Sequence, residues 1–213
     1  MIDLFAFLGN PGKKYSKNRH NAAWLLEEKL SFRDELFWKA RFKGKYSCLD
    51  GSSFSTAAEQ TSRKIHFLKP GTYMNLSGVS VFKAASFFRI PNEKILVVHD
   101  ELELPLGTLS LKFSGGLGGH NGLRSMKANF NTADFWRLRI GIGRPDNRAP
   151  GEGGHEGSGE GIVDWVLSDF DMEEIPLLEK SLDAAAGILS CLLRDKPEKF
   201  LPEWSKKKIV PAE

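Results

Sequence analysis

Five polar side chains stand where strand-like apolar runs give way to turns: Asn10, His20, Asn75, Asp100 and Asn121. Asn10 and His20 belong to LGNPGKKYSKNRHN, which follows at once on the apolar run Ile2–Leu8. A connection there needs only Pro11 and Gly12 for its geometry. Taken alone, the stretch reads as a turn in which Asn10 tolerates an unusual backbone angle and His20 caps the next helix. Asn75 lies in FLKPGTYMNLSG, Asp100 in VVHDELELPLGTLSLKF and Asn121 in SGGLGGHNGLRSM. Each is at or just beyond a strand end, where open α/β sheets bind ligands. A histidine that titrates near neutrality can take a proton from water. An aspartate can orient it, and amides can hold neutral polar groups of a substrate.

Other chemistries lack their residues. There is no GxSxG elbow for a serine hydrolase. Gly116-x-Gly118 is followed by Asn121 where a dinucleotide fingerprint needs glycine, and no phosphate-binding Walker loop occurs. His155 and Glu156 resemble half of a zinc motif, but position 159 is Gly, so HExxH fails. Cys48 and Cys191 are isolated thiols without metal-ligand spacing. No cofactor and no metal are expected.

The elements that must position these residues follow from periodicity. Ile2–Leu8, Ile65–Leu68, Ile95–Val98, Thr108–Phe113 and Leu138–Ile142 read as strands, and Arg41–Gln60 as an antiparallel part. His20–Leu30, Ser77–Phe88, Gly122–Asn129 and Met172–Leu193 read as helices. The alternation predicts an α/β fold: one domain, with a twisted, mostly parallel mixed sheet and helices packed on both faces. Residues 1–195 form that domain, and 148–161 within it (RAPGEGGHEGSGEG) is expected to be a mobile glycine-rich loop. Residues 196–213 form a basic C-terminal tail.

With 213 residues, 41% of them hydrophobic and 27% charged, the chain can bury a sizeable core. A net charge of +3 permits a nucleic-acid partner without demanding one. No apolar stretch is long enough to span a membrane, and the N-terminus is unlike a secretion signal. A cytoplasmic protein is expected, for which a monomer suffices.

In this order along the chain, LGNPGKKYSKNRHN, KPGTYMNLSG, HDELELPLG, KFSGGLGGHNGLRS and FWRLRIGIGRP are similar to the successive motifs of the bacterial peptidyl-tRNA hydrolases. The resemblance runs continuously over residues 1–145, and VDWVLSDF matches a weaker later motif. It implies hydrolysis of the ester that joins a peptide to the 3′ end of tRNA, which recycles tRNA from aborted translation. By resemblance, His20 is the general base and Asp100 its orienter. Asn10, Asn75 and Asn121 hold the peptide carbonyls and the 3′ ribose, Asn10 being counted with the catalytic set. Tyr15 and Tyr73 flank the terminal adenosine or the peptide. Lys112 and Arg139 match basic positions used near the tRNA 5′ phosphate, so the acceptor stem and the 3′ CCA end are the expected partner. The chain departs from the family pattern at Phe7 and Ser168, where glycine is usual, and at Asn18, where threonine is common.

Two other readings compete with this one. A non-hydrolytic RNA-binding relative would have no need of a base and its orienter. A nucleotide-dependent enzyme on a doubly wound sheet would need the glycine fingerprints that fail here.

Overall fold

The computed structural model describes residues 1–54, 63–145 and 159–209. The central strand β5 (Ile95–Glu101) is buried along its whole length, as the near-continuous apolar run ILVV requires of a strand covered on both faces. It pairs in parallel with β1 (Leu4–Phe7) on one side and β7 (Trp136–Gly141) on the other. Beyond β1 lies β4 (Lys64–Pro70), also parallel, with Leu4 opposite His66. Both flanks of this four-stranded parallel core turn antiparallel. β3 (Gly44–Asp50) joins β4, and β2 (Lys39–Arg41) joins β3; β6 (Thr108–Phe113) joins β7, and the short β8 (Lys207–Lys208) joins β6. Among the described residues the sheet therefore runs β2-β3-β4-β1-β5-β7-β6-β8.

Side chains alternate across the sheet, so each strand serves two cores. Phe5, Phe7 and Phe67 pack with Leu26 of α1 (Ala22–Glu27) and with Leu182 and Leu189 of α5 (Ile175–Leu192). Leu4, Ala6 and Leu8 pack with Val81 and Ala84 of α2 (Ser77–Phe88) and with Leu123 and Met126 of α3 (Asn121–Phe130). Helices thus cover both faces of one mixed sheet with a parallel core, as the alternation predicts.

Helix α2 has the expected bounds, while other elements shift. The helix expected from His20 begins at Ala22, because Arg19–Asn21 is a single 3-10 turn. The strand expected over 138–142 lies two residues earlier at its start, and that expected over 95–98 continues to Glu101, so Asp100 sits inside a strand. The glycine-rich stretch falls mostly outside the described residues, its last three opening helix α4 (Gly159–Leu167). After α5 come a 3-10 turn (Pro197–Phe200), a short helix α6 (Leu201–Trp204) and β8 on the β6 edge.

Candidate active site

The carboxyl ends of β1, β4, β5 and β7 point to one rim of the sheet, and His20, Asp100, His120 and Asn121 meet there. His20 sits on the 3-10 turn after β1 and is buried, with 7% of its surface exposed. Its Nδ1 lies 2.9 Å from both carboxylate oxygens of Asp100, which β5 holds almost completely buried. Asp100 accepts a second imidazole donor, since His120 Nε2 is 3.0 Å from Oδ1. His120 is the N-cap of α3, and its Nδ1 accepts from the backbone N–H groups of Gly122 and Leu123 at 3.0 and 3.3 Å. That fixes its tautomer: a ring nitrogen that accepts from amides carries no proton, so the proton is on Nε2 and points at Asp100.

The same logic orients His20. With Nδ1–H donated to the carboxylate, Nε2 keeps its lone pair for a proton taken from water. Burial acts to lower the His20 pKa, but the Asp100 charge and hydrogen bond outweigh it and the net shift is upward. Burial alone would raise the Asp100 carboxyl; the two imidazoles, His20 first, instead hold it well below the usual carboxylate range. His99, fully buried on β5, is driven well below the ordinary histidine value by burial and then by His120 beside it.

The ligand atoms of His20, Asp100 and His120 lie within 4.8 Å of one another, a spacing that can hold a metal ion. The donor chemistry argues against that use. His120 Nε2 bears the proton that its capped Nδ1 excludes, and both imidazoles converge on the carboxylate rather than on a common empty point. These three residues fit a hydrogen-bonded chain better than a cation.

A cavity of about 330 Å³ opens on this chain, lined by His20, Asp100, His120, Asn121 and Glu101, with Val166 of α4 on its wall. Asn10 is buried at the end of β1. Its Oδ1 accepts from Met74 N–H at 2.8 Å, which leaves the amide NH₂ as the side chain's remaining donor group. The backbone of Asn10 is clamped by Asn21, whose Oδ1 accepts from Asn10 N–H at 2.8 Å and whose Nδ2 donates to Asn10 O at 3.0 Å. Asn75 is exposed on the 3-10 turn Met74–Leu76, one residue after the Met74 amide that holds Asn10. The rings of Tyr15 and Tyr73 meet edge-to-face at 6.4 Å. At Gly122 a Cβ would fall 2.7 Å from Met74 Sδ and 2.8 Å from Leu8 Cδ1, so a side chain there would have to displace both.

Lys112 and Arg139 stand apart from this cavity. Lys112 is exposed on β6. Arg139 on β7 donates to Ser110 Oγ at 2.7 Å and to Glu101 at 3.4 Å, and Glu101 in turn lines the cavity. Four further residues escaped the reading of the sequence. They are His120, read only as part of a glycine loop, the clamp residue Asn21, and two buried arginines. Arg137 donates to the carbonyls of Gly115 and Gly116 and so pins that loop. Arg19 donates to Ser168 Oγ at 2.7 Å, to Asp169 O and to Glu174 at 2.5 Å, with its guanidinium 3.7 Å from the centre of the Trp165 ring. The one available signal was that a histidine directly before an apolar-periodic helix occupies its cap position.

The sequence matches the peptidyl-tRNA hydrolase family over residues 4–211. It is 44% identical to the peptidyl-tRNA hydrolase of Treponema pallidum (strain Nichols), over 98% of this chain and 97% of that one. It is 40% identical to that of Cupriavidus metallidurans, over 95% and 98%. A crystal structure of peptidyl-tRNA hydrolase from Acinetobacter baumannii superposes with a TM-score of 0.73 at 33% identity, covering 96% of this chain and 92% of that one. A crystal structure of a peptidyl-tRNA hydrolase in complex with n-propanol superposes with a TM-score of 0.80 at 32% identity, covering 98% and 97%. The chain therefore belongs to the peptidyl-tRNA hydrolase family.

Proposed function

We propose that this chain hydrolyses peptidyl-tRNA by general-base catalysis, with His20 as the base, Asp100 as its orienter and no metal ion. One observation carries the assignment: a buried His20 donates Nδ1–H to Asp100 at 2.9 Å beside an open cavity. His20 Nε2 takes a proton from water as the water oxygen bonds to the ester carbonyl carbon. Asp100 offsets the charge of the imidazolium that forms. The tetrahedral oxyanion then collapses, the bond to the ribose 3′ oxygen breaks, and that oxygen takes the proton from His20. The products are the free peptide acid and tRNA with its 3′ hydroxyl restored.

Neutral amides suit a substrate whose side chains vary, because they read peptide backbone. The NH₂ of Asn10 supports a role as donor to the developing oxyanion. Asn121, on the cavity wall, and Asn75 hold the peptide carbonyls and the 3′ ribose in this reading. Tyr15 and Tyr73 give the terminal adenosine or the peptide an aromatic edge. Lys112 and Arg139 take the phosphate of the acceptor stem, adding affinity without sequence reading. A single chain supplies every group this scheme uses. Among the described residues no helix is long and apolar enough to cross a membrane.

The test is release of labelled peptide from peptidyl-tRNA, with and without EDTA, by the native chain and by His20→Ala. The expected result is turnover unchanged by chelator on a minimal 3′-end substrate and reduced on the order of 10²–10⁴-fold by the substitution. Near-normal turnover by a well-folded His20→Ala protein, or loss in EDTA restored by a divalent ion, overturns the mechanism.

A further inference from the structure

At the amino ends of β1, β4 and β5, opposite the rim that carries His20, a second cavity of about 690 Å³ opens on the α2 side of the sheet. Strands of seven residues at about 3.3 Å per residue put it roughly 20 Å from the ester-cleaving groups. Its volume is in the range that holds a small organic ligand.

Its floor is aromatic. Phe88, half-buried, lies over His66 with ring centres 4.0 Å apart and planes 23° from parallel, and extends over Tyr46 at 5.5 Å and 18°. Tyr46 and His66 lie side by side, joined by a 2.8 Å bond between the phenol oxygen and Nδ1. Burial pushes the His66 pKa down to about 4 and keeps the Tyr46 phenol protonated, so both rings of the pair are neutral. His66 Nε2 has no hydrogen-bond partner among the described residues, on a side chain that lines the cavity.

Its rim is cationic, with Arg63, Lys64, Arg89 and Lys94 against the single carboxylate of Asp3. Both oxygens of that carboxylate are engaged, one by Arg63 at 2.8 Å and one by Lys94 at 3.0 Å. Lys64 and Arg89 make no ion pair among the described residues; the nearest carboxylate across the ladder from Lys64 is that of Asp50. Arg89 holds its place at a cost. It ends α2 in the left-handed conformation, φ 54° and ψ 41°, which glycine adopts freely and other residues rarely. The side chain retained in that conformation adds a guanidinium to the rim.

A flat aromatic floor, an unpartnered imidazole nitrogen and surplus positive charge together complement a flat ring with polar edge atoms that carries a phosphate. We propose that this cavity binds a nucleotide unit, its base against the Phe88–His66–Tyr46 layer and its phosphate between Lys64 and Arg89, at a site separate from ester hydrolysis. Such a unit reaches the cavity either as a free mononucleotide or as one residue of an RNA strand.

The experiment is titration of the full chain with AMP, adenosine and inorganic phosphate, followed by calorimetry and by amide chemical shifts. AMP is expected to bind with shifts centred on residues 64–66 and 88–90, and adenosine and phosphate each at least about tenfold more weakly. Arg89→Gly removes the guanidinium while relieving the backbone, so it should fold at least as stably; it and Lys64→Ala should each weaken AMP about tenfold. Peptidyl-tRNA cleavage by these two variants should stay at the native rate, which separates this site from the catalytic reading. A 5′-phosphorylated hexa-adenylate that competes at the same shifts assigns the ligand to an RNA strand; its exclusion while AMP binds assigns a free nucleotide. Absence of saturable AMP binding, or AMP binding that survives Arg89→Gly and Lys64→Ala but is lost in Asn121→Ala, overturns the proposal.

Discussion

Asp100 is a carboxylate shared by two imidazoles, and the sharing makes separable demands on each partner. His20 is active as the neutral ring, so turnover rises with pH through its titration. Because its pKa is raised, the midpoint of that rise should lie above the ordinary histidine value of about 6.5. Asp100→Asn removes the charge that raises it while burial, which lowers it, remains. The expected result is a loss on the order of 10²–10⁴-fold in kcat, with the midpoint of the residual activity displaced toward acid. A pH–rate profile of the variant with an unmoved or alkaline-shifted midpoint would exclude the pairing as the source of the shift. His120→Asn tests the second imidazole, since asparagine is a good helix cap but cannot reach Asp100 as His120 Nε2 does. Thermal stability should change little while kcat falls about tenfold, the worth of one charge-assisted hydrogen bond. Asn18 shows the opposite kind of departure. It is completely buried and neither of its side-chain polar atoms has a partner. Asn18→Thr removes one of those unsatisfied amide atoms, and should stabilise by roughly 1 kcal/mol, read as a Tm about 2–4 °C higher.

The turn that presents His20 is anchored by Arg19, which reaches 149 residues along the chain to Ser168 and from there to Asp169 and Glu174. Two further links reinforce it: Arg19 N–H donates to Ser168 O at 3.0 Å, and Asn18 bridges to Asp169. The hydroxyl of Ser168, at a position where glycine is usual, is thus a working acceptor. Arg19→Lys keeps the charge and loses the planar fork that serves three acceptors and stacks on Trp165. It should lower Tm by several degrees and, measured well below Tm, reduce kcat more than it changes KM, because the base loses its fixed position while the amides do not. An unchanged kcat would confine Arg19 to stability. That anchor was invisible in the sequence, which carries no mark of a partner so far along the chain. Strands and the bounds of α2 were readable because buried runs such as ILVV and the Val81, Ala84, Ala85 spacing follow directly from packing. His20 and Asp100 were legible through motif resemblance, but not their settings on a 3-10 turn and within the last residues of a strand. Periodicity does not register a single 3-10 turn, and Asp100 interrupts the apolar pattern that would have extended β5 past it. His120 was missed because histidine is an uncommon cap and its meaning depends on a carboxylate from another strand.

Lysines gather at the β6–β8 edge of the sheet. The segment after α5 returns to lay β8 against β6, pairing Lys208 with Thr108 and Lys207 with Leu109, so three lysines at 206–208 border the strand that carries Lys112. Lys207 is partly occupied by Glu203, and Arg139 by Glu101 and Ser110. Lys112 is therefore the cleanest probe of a phosphate contact at this edge. Lys112→Ala should raise KM for full-length peptidyl-tRNA, leave kcat near native, and reduce the slope of log affinity against log salt by about one phosphate contact. A short substrate without the acceptor stem should be cleaved at the native rate. Arg139→Ala should share the effect on full-length substrate and add a smaller loss on the short one, because it releases the Glu101 carboxylate that lines the cavity. If Lys112→Ala impairs both substrates equally, the lysine acts in folding or chemistry, and the contact with the acceptor stem must lie on another edge of the sheet.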